Sequence, residues 1–178
     1  IDKVIGAGEI AISDHRSSQP TFEEFVKVVA EARVGGMLSG KAGIVNVHLG
    51  DGERKLKYLV DLVKETEIPI KQVIPTHINR SISVFEAGVE FAKLGGIVDM
   101  TTSSDPEFLE EDEVKASTGL KMMLDSGVPV EQILFTSDGQ GSLPIFNEKR
   151  ELIGVGIGST KTLFREVKDA VLKDGVGF

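Results

Sequence analysis

Cysteine and tryptophan are both absent from the chain. Without cysteine it forms no disulfide and offers no thiolate to a metal, so any metal must be held by nitrogen and oxygen. A cytoplasmic location is the expectation that follows. No apolar run approaches the roughly 18 residues of a membrane span, and no secretory or transit pattern is read at the start. Positive charge is in deficit: 20 Lys and Arg against 28 Asp and Glu leave a net charge of −8. Phosphate backbones are bound through clustered Lys and Arg, so nucleic acid is not an expected partner. Short repeats, linkers and low-complexity tracts are missing as well. What remains is a soluble globular chain of 178 residues, 40% hydrophobic and 27% charged, long enough for a sizeable core. Ile1 is not an initiator Met and Phe178 follows directly on a helical pattern. The expectation is a segment of a larger enzyme.

Strand and helix signals alternate along the chain. Val4–Ile12 is an apolar run, and Thr21-Phe-Glu-Glu24 is a capping box that opens a helix through Phe25, Val28, Val29 and Ala32, with Gly35-Gly36 as its stop. Ile44–His48 reads as a second strand, followed by a helix with Leu56, Leu59, Val60 and Val63. Gln72–Pro75 is the third strand, and Ser83-Val-Phe-Glu86 marks a second capping box in a helix ending at Gly95-Gly96. Ile97–Thr102, a helix over Asp112–Ser126 and the strand Gln132–Ser137 continue the pattern. A hairpin or loop through Asn147–Arg150 and a helix from Thr160 to Lys173 complete it, while the acidic run Glu107–Glu113 reads as a solvated helix start. Regular alternation of this kind means a parallel sheet covered by helices, an α/β fold. Five strands of a (β/α)8 barrel and a complete doubly wound sheet both fit.

Two histidines and an aspartate stand where three of these strands end: His48, His77 and Asp138. The carboxyl ends of parallel strands share one face, so the three side chains can converge despite their separation in sequence. Two imidazoles and a carboxylate are the minimum set for a hydrolytic metal centre. A lone histidine at a strand end is ordinarily a hydrogen-bonded turn residue; two at successive strand ends, from three in the chain, favour ligation. Asp138, in Thr136-Ser-Asp-Gly-Gln-Gly-Ser142, is either a strand-exit turn or a carboxylate that binds metal and takes a proton from water. Glu9 interrupts an apolar run, which is costly for a carboxylate unless it is paired or metal-bound. Arg16 and Arg80 follow the first and third strands and would make a fork for a substrate carboxylate. His15 is read as structural, or as a residue behind the ligands. The glycine-rich Gly154-Val-Gly-Ile-Gly-Ser-Thr160 lacks P-loop and dinucleotide spacing, so phosphate binding is not expected there.

The motifs Ala11-Ile-Ser-Asp-His-Arg16, Val47-His-Leu-Gly-Asp51, Pro75-Thr-His-Ile-Asn-Arg80 and Ser137-Asp-Gly-Gln-Gly-Ser142 carry a resemblance. In order and spacing the chain resembles bacterial isoaspartyl dipeptidase, a branch of the amidohydrolase superfamily of metal-dependent (β/α)8 barrels. The resemblance implies a partial TIM barrel over residues 1–178, about strands four to eight, without the first strands and the small β domain. It implies hydrolysis of β-aspartyl (isoaspartyl) dipeptides at a centre of two zinc ions, with His48 and His77 as ligands. By motif position Asp138 binds zinc and serves as general base, Arg16 and Arg80 hold substrate carboxylate, and Ser142 positions the aspartyl portion. Where the family carries a carboxylated lysine as bridging ligand this chain has Glu9, which supplies a carboxylate without carbon dioxide. The expected partners are a small dipeptide substrate and, for the full-length protein, further copies of itself. The segment alone is expected to be inactive. Two rivals stay open: another amidohydrolase acting on cyclic amides or N-acyl amino acids, and a non-catalytic doubly wound binding domain.

Overall fold

A computed structural model describes residues 3–103, 112–147, 149 and 151–177. Five parallel strands alternate with helices: β1 (Gly6–Ile12), α1 (Phe22–Ser39), β2 (Ile44–Leu49), α2 (Lys57–Glu65), β3 (Val73–Thr76), α3 (Ile82–Lys93), β4 (Val98–Thr101), α4 (Ala116–Asp125) and β5 (Ile133–Thr136). The antiparallel hairpin of β6 (Ser142–Phe146) and β7 (Leu152–Ile157) then leads into α5 (Lys161–Leu172). The α/β alternation expected from the sequence is therefore present.

β1, β2 and β3 form one parallel ladder, and β4 pairs with β5 in another. Between β3 and β4 the link is made largely by side chains. Asp99 accepts hydrogen bonds from the hydroxyls of Thr76 and Thr136, and its carbonyl accepts from the Ile78 N–H at 3.3 Å. Asn79 accepts from the Thr101 N–H at 2.9 Å and donates to the Thr101 carbonyl at 3.0 Å. The strands thus follow one another in chain order from β1 to β5.

Residues paired in a parallel ladder point to the same side. On one side Val45, Val47, Leu49, Val73, Val98 and Met100 are buried against Phe25, Leu59, Leu62, Phe91 and Met123 of the helices. Each such large side chain contributes about 1.5–3 kcal/mol on burial. The other side carries Ala11, His48 and Thr76 in register. It is only half-covered: Ile44, Asn46 and His48 are intermediate in burial, and Leu134 and Thr136 are exposed.

Several expected boundaries move, each for a non-local reason. The capping box at α1 is as expected, with Glu24 N–H donating to the Thr21 hydroxyl and Thr21 N–H to the Glu24 carboxylate. The helix does not stop at Gly35-Gly36; it runs to Ser39 and ends on Gly40, left-handed at φ 65°. Gly36 serves packing instead, since a Cβ there would lie 2.6 Å from the Gly43 Cα. The cap of α3 is Ser81 rather than Ser83, with Val84 N–H donating to its hydroxyl. α4 starts at Ala116, not Asp112, because Asp112 and Val114 are bonded across to Ile82 and Asn79. Of the acidic run, Glu107 to Glu111 lies outside the described residues.

Candidate metal centre

The centre starts from an irregularity in β1. Ala7 pairs with Val45 and Ile10 with Val47, so Gly8 and Glu9 together stand opposite the single residue Asn46. This is a β-bulge, the device that re-aims a side chain at a strand end. Gly8 sits at φ 142°, and a Cβ there would approach the Asn46 carbonyl to 2.7 Å. Only glycine fits that turn of the chain. Beyond the bulge Ala11 pairs with His48, which puts Glu9, two residues earlier, on the side of the sheet that His48 faces.

His48 enters from β2 and His77 from the residue after β3, where the backbone is left-handed at φ 63°. Their rings meet edge to face with centroids 4.5 Å apart. Glu9 lies between them: one carboxylate oxygen is 3.2 Å from His48 Nδ1 and the other 3.7 Å from His77 Nε2. One donor atom from each of the three lies within 4.8 Å of the others. Ligands about 2.1 Å from a tetrahedral zinc stand about 3.4 Å apart, so these two spacings fit a shared ion, and nitrogen with carboxylate oxygen is a zinc donor set. The residues fit a metal.

The electrostatics agree. His77 is buried and its pKa is pushed down to about 3, by desolvation first and then by the positive charge of Arg80. It is therefore neutral near pH 7, with a lone pair to offer. Its Nδ1 is bonded to the Thr101 hydroxyl, which leaves Nε2 facing Glu9. The Glu9 carboxyl is held below its ordinary value, chiefly by its 3.2 Å contact with the His48 ring.

No protein-family model matches the chain. Solved structures do, two β-aspartyl dipeptidases among them. A β-aspartyl dipeptidase from the thermophilic, keratin-degrading Fervidobacterium islandicum AW-1, in complex with a β-Asp-Leu dipeptide, is 46% identical with a TM-score of 0.88, over 99% of this chain and 45% of that one. A second β-aspartyl dipeptidase structure from that organism is 43% identical with a TM-score of 0.83, over 99% of this chain and 43% of that one. The chain is a relative of the β-aspartyl dipeptidases. It spans less than half the length of either of these two structures.

Around the cluster, this dipeptidase relative distributes its other expected site residues unevenly. Asp138 follows β5 at φ 47°, half-buried and outside the group formed by Glu9, His48 and His77. Its carboxyl is pushed up by burial and by the negative charge of Glu9, with His48 and Arg80 acting the other way. A Cβ at Gly141 would come 2.6 Å from the Asp138 carboxylate, so the glycine makes room for it. Arg80 is half-buried and feels the charges of Arg16, Asp14 and Asp51; its guanidinium makes no side-chain hydrogen bond or ion pair among the described residues. Arg16 instead donates Nε and Nη2 to Asp14 at 3.1 and 2.9 Å. Ser142 opens β6 opposite Ile157 and is exposed. His15 is 80% exposed and 3.9 Å from Asp14, and does not join the cluster.

Sequence reasoning passed over three residues. Asp14 is 5% exposed, accepts from Arg16 and lies 3.2 Å from His48 Nε2. Thr101 holds His77, and Asp99 joins β3 to β5 through two threonines. Asp14 left a signal in its place between strand and Arg16; Thr101 and Asp99 left none, because their partners are more than twenty residues away.

Proposed function

We propose that this chain is a segment of a (β/α)8 metallo-hydrolase barrel, about strands four to eight, and works within a larger cytoplasmic, homo-oligomeric enzyme that hydrolyses β-aspartyl dipeptides. The observation that carries this reading is the meeting of Glu9, His48 and His77 in a chain 46% identical to a dipeptidase captured with β-Asp-Leu. Strand order supports the barrel. A doubly wound sheet reverses its order and covers both faces with helices, whereas β1 to β5 run in chain order with one face half-open.

Glu9, His48 and His77 would hold the metal, with Glu9 serving as the bridging carboxylate in place of a carboxylated lysine. Zinc, two ions in the complete site, would supply Lewis acidity to a water and to the scissile carbonyl. Asp138 would add a carboxylate ligand, receive the proton of the attacking water and return it to the leaving amine. Arg80 and Arg16 would take the substrate carboxylate, Arg80 with its whole fork and Arg16 with the nitrogen that Asp14 leaves unused. Ser142 would position the aspartyl portion.

The test is release of aspartate from β-Asp-Leu, with α-Asp-Leu as control, by the full-length protein and by the zinc-loaded 178-residue chain. Cleavage of the β-linked substrate by the former only is expected. Cleavage of cyclic amides or N-acyl amino acids instead would replace the dipeptidase reading, and equal turnover by the short chain would overturn the segment reading.

A further inference from the structure

We propose that Asp14 is a positioning residue that sets the metal-binding face of His48 and couples it to Arg16. The inference rests on the metal-centre reading above and adds a residue to it. One oxygen of Asp14 accepts from the backbone N–H of Arg16 at 2.8 Å and from Arg16 Nε at 3.1 Å. The other accepts from Arg16 Nη2 at 2.9 Å and lies 3.2 Å from His48 Nε2. His48 Nδ1, on the opposite side of the ring, faces Glu9. An imidazole that gives its Nε2 proton to a carboxylate presents the Nδ1 lone pair, and such an outer partner fixes both tautomer and ring angle.

The fold is built to bring Asp14 to that place. Ser13 is left-handed at φ 53°, and its carbonyl accepts the Gly52 N–H at 2.7 Å while the Ile12 carbonyl accepts the Gly50 N–H at 3.1 Å. These bonds lay the segment after His48 directly over Ser13 and Asp14. A Cβ at Gly50 would be 2.5 Å from the Asp14 Cβ, so a glycine there is a condition of the contact. Asp14 is nearly excluded from solvent, and Arg16 donates three hydrogen bonds to it. A buried carboxylate held between the Arg16 guanidinium and the His48 ring is shared by the two. Removing it loosens the metal ligand and the arginine together.

The experiment uses Asp14→Asn and Asp14→Ala in the 178-residue chain, with two readouts. The first is the ring-nitrogen tautomer of His48 in metal-free protein by 15N NMR at pH 8.5. The second is zinc affinity by chelator competition. Wild type is expected to carry the proton on Nε2. Asp14→Asn, which can turn its NH2 towards the ring, is expected to move the proton to Nδ1. Zinc affinity is expected to fall 10- to 100-fold in both variants. A wild-type proton on Nδ1, or affinities within twofold of wild type, would overturn the proposal. If wild type binds no zinc, the metal-centre reading fails, and the tautomer still decides the role of Asp14. Should a variant not fold, the wild-type tautomer alone decides it.

Discussion

Glu9 reaches His48, 3.2 Å from its Nδ1, across a strand pair whose register is broken between them. Asn46 stands alone against Gly8 and Glu9, so the part of β1 before the bulge and the part after it are out of step by one residue. Since side chains alternate along a strand, a slip of one residue moves every later one to the opposite face. The bulge therefore lets one short strand face the helices at Ala7 and the open side of the sheet at Glu9 and Ala11.

Glu9 supplies its carboxylate without carbon dioxide, and zinc content will not depend on it. Elemental analysis after dialysis in bicarbonate-free, degassed buffer is expected to match that in ordinary buffer. Glu9→Gln keeps the shape but removes the charge, and is expected to lower zinc affinity at least tenfold, of the order seen when a metal's supporting residues are lost. Zinc lost on removal of carbon dioxide would rule out the direct role of Glu9.

His77→Ala and Asp138→Ala separate ligation from turn structure. If both residues serve the metal, each variant loses zinc while its circular dichroism spectrum stays that of wild type. Unchanged zinc in both would return the strand-end residues to a purely structural role.

Neighbouring glycines of α1 should respond in opposite ways. Alanine gains about 1 kcal/mol over glycine inside a helix. At Gly35 a Cβ meets nothing within 4 Å, so Gly35→Ala is expected to raise the melting temperature. At Gly36 the same methyl would sit 2.6 Å from the Gly43 Cα and 2.7 Å from its nitrogen. Overpacking against backbone costs about 1–3 kcal/mol, more than the helix gain, so Gly36→Ala is expected to lower it. Two shifts of the same sign would mean the loop at Gly43 yields easily.

Asp99 gives stability a pH dependence of unusual sign. It is 2% exposed, and burial pushes its pKa up to about 6; Thr76 and Thr136 oppose this by hydrogen bonding, while Glu9 and Asp138 add to it. Between about pH 4 and 6 the folded protein keeps a proton that the unfolded chain has released. The contribution of Asp99 is thus full below pH 4, falls as pH rises through that window, and is flat above it. Asp99→Asn removes the titration. Relative to wild type, the variant should gain on the order of 2 kcal/mol between pH 4 and pH 7 in urea unfolding. A difference between the two that does not change with pH would show that Asp99 is ionised throughout.

The alternation of strands and helices was legible in the sequence because periodicity and capping are local. Thr21 and Glu24 are three residues apart and satisfy one another without help from the rest of the chain. The candidates His48, His77 and Glu9 were legible as well, because polar residues at the ends of apolar runs, or inside them, stand out. Arg16 was read as free for substrate, and only the folded chain put Asp14 into its fork. The passage of α1 through two glycines depended on Gly43, and the late start of α4 on Asn79 and Ile82. The aim of Glu9 depended on Asn46 in another strand. By itself the sequence determined which residues could do chemistry and the kind of element each stood on. Tertiary structure decided which of them meet, because bulge register, backbone close approach and shared carboxylates arise from hydrogen bonds and contacts between segments far apart along the chain.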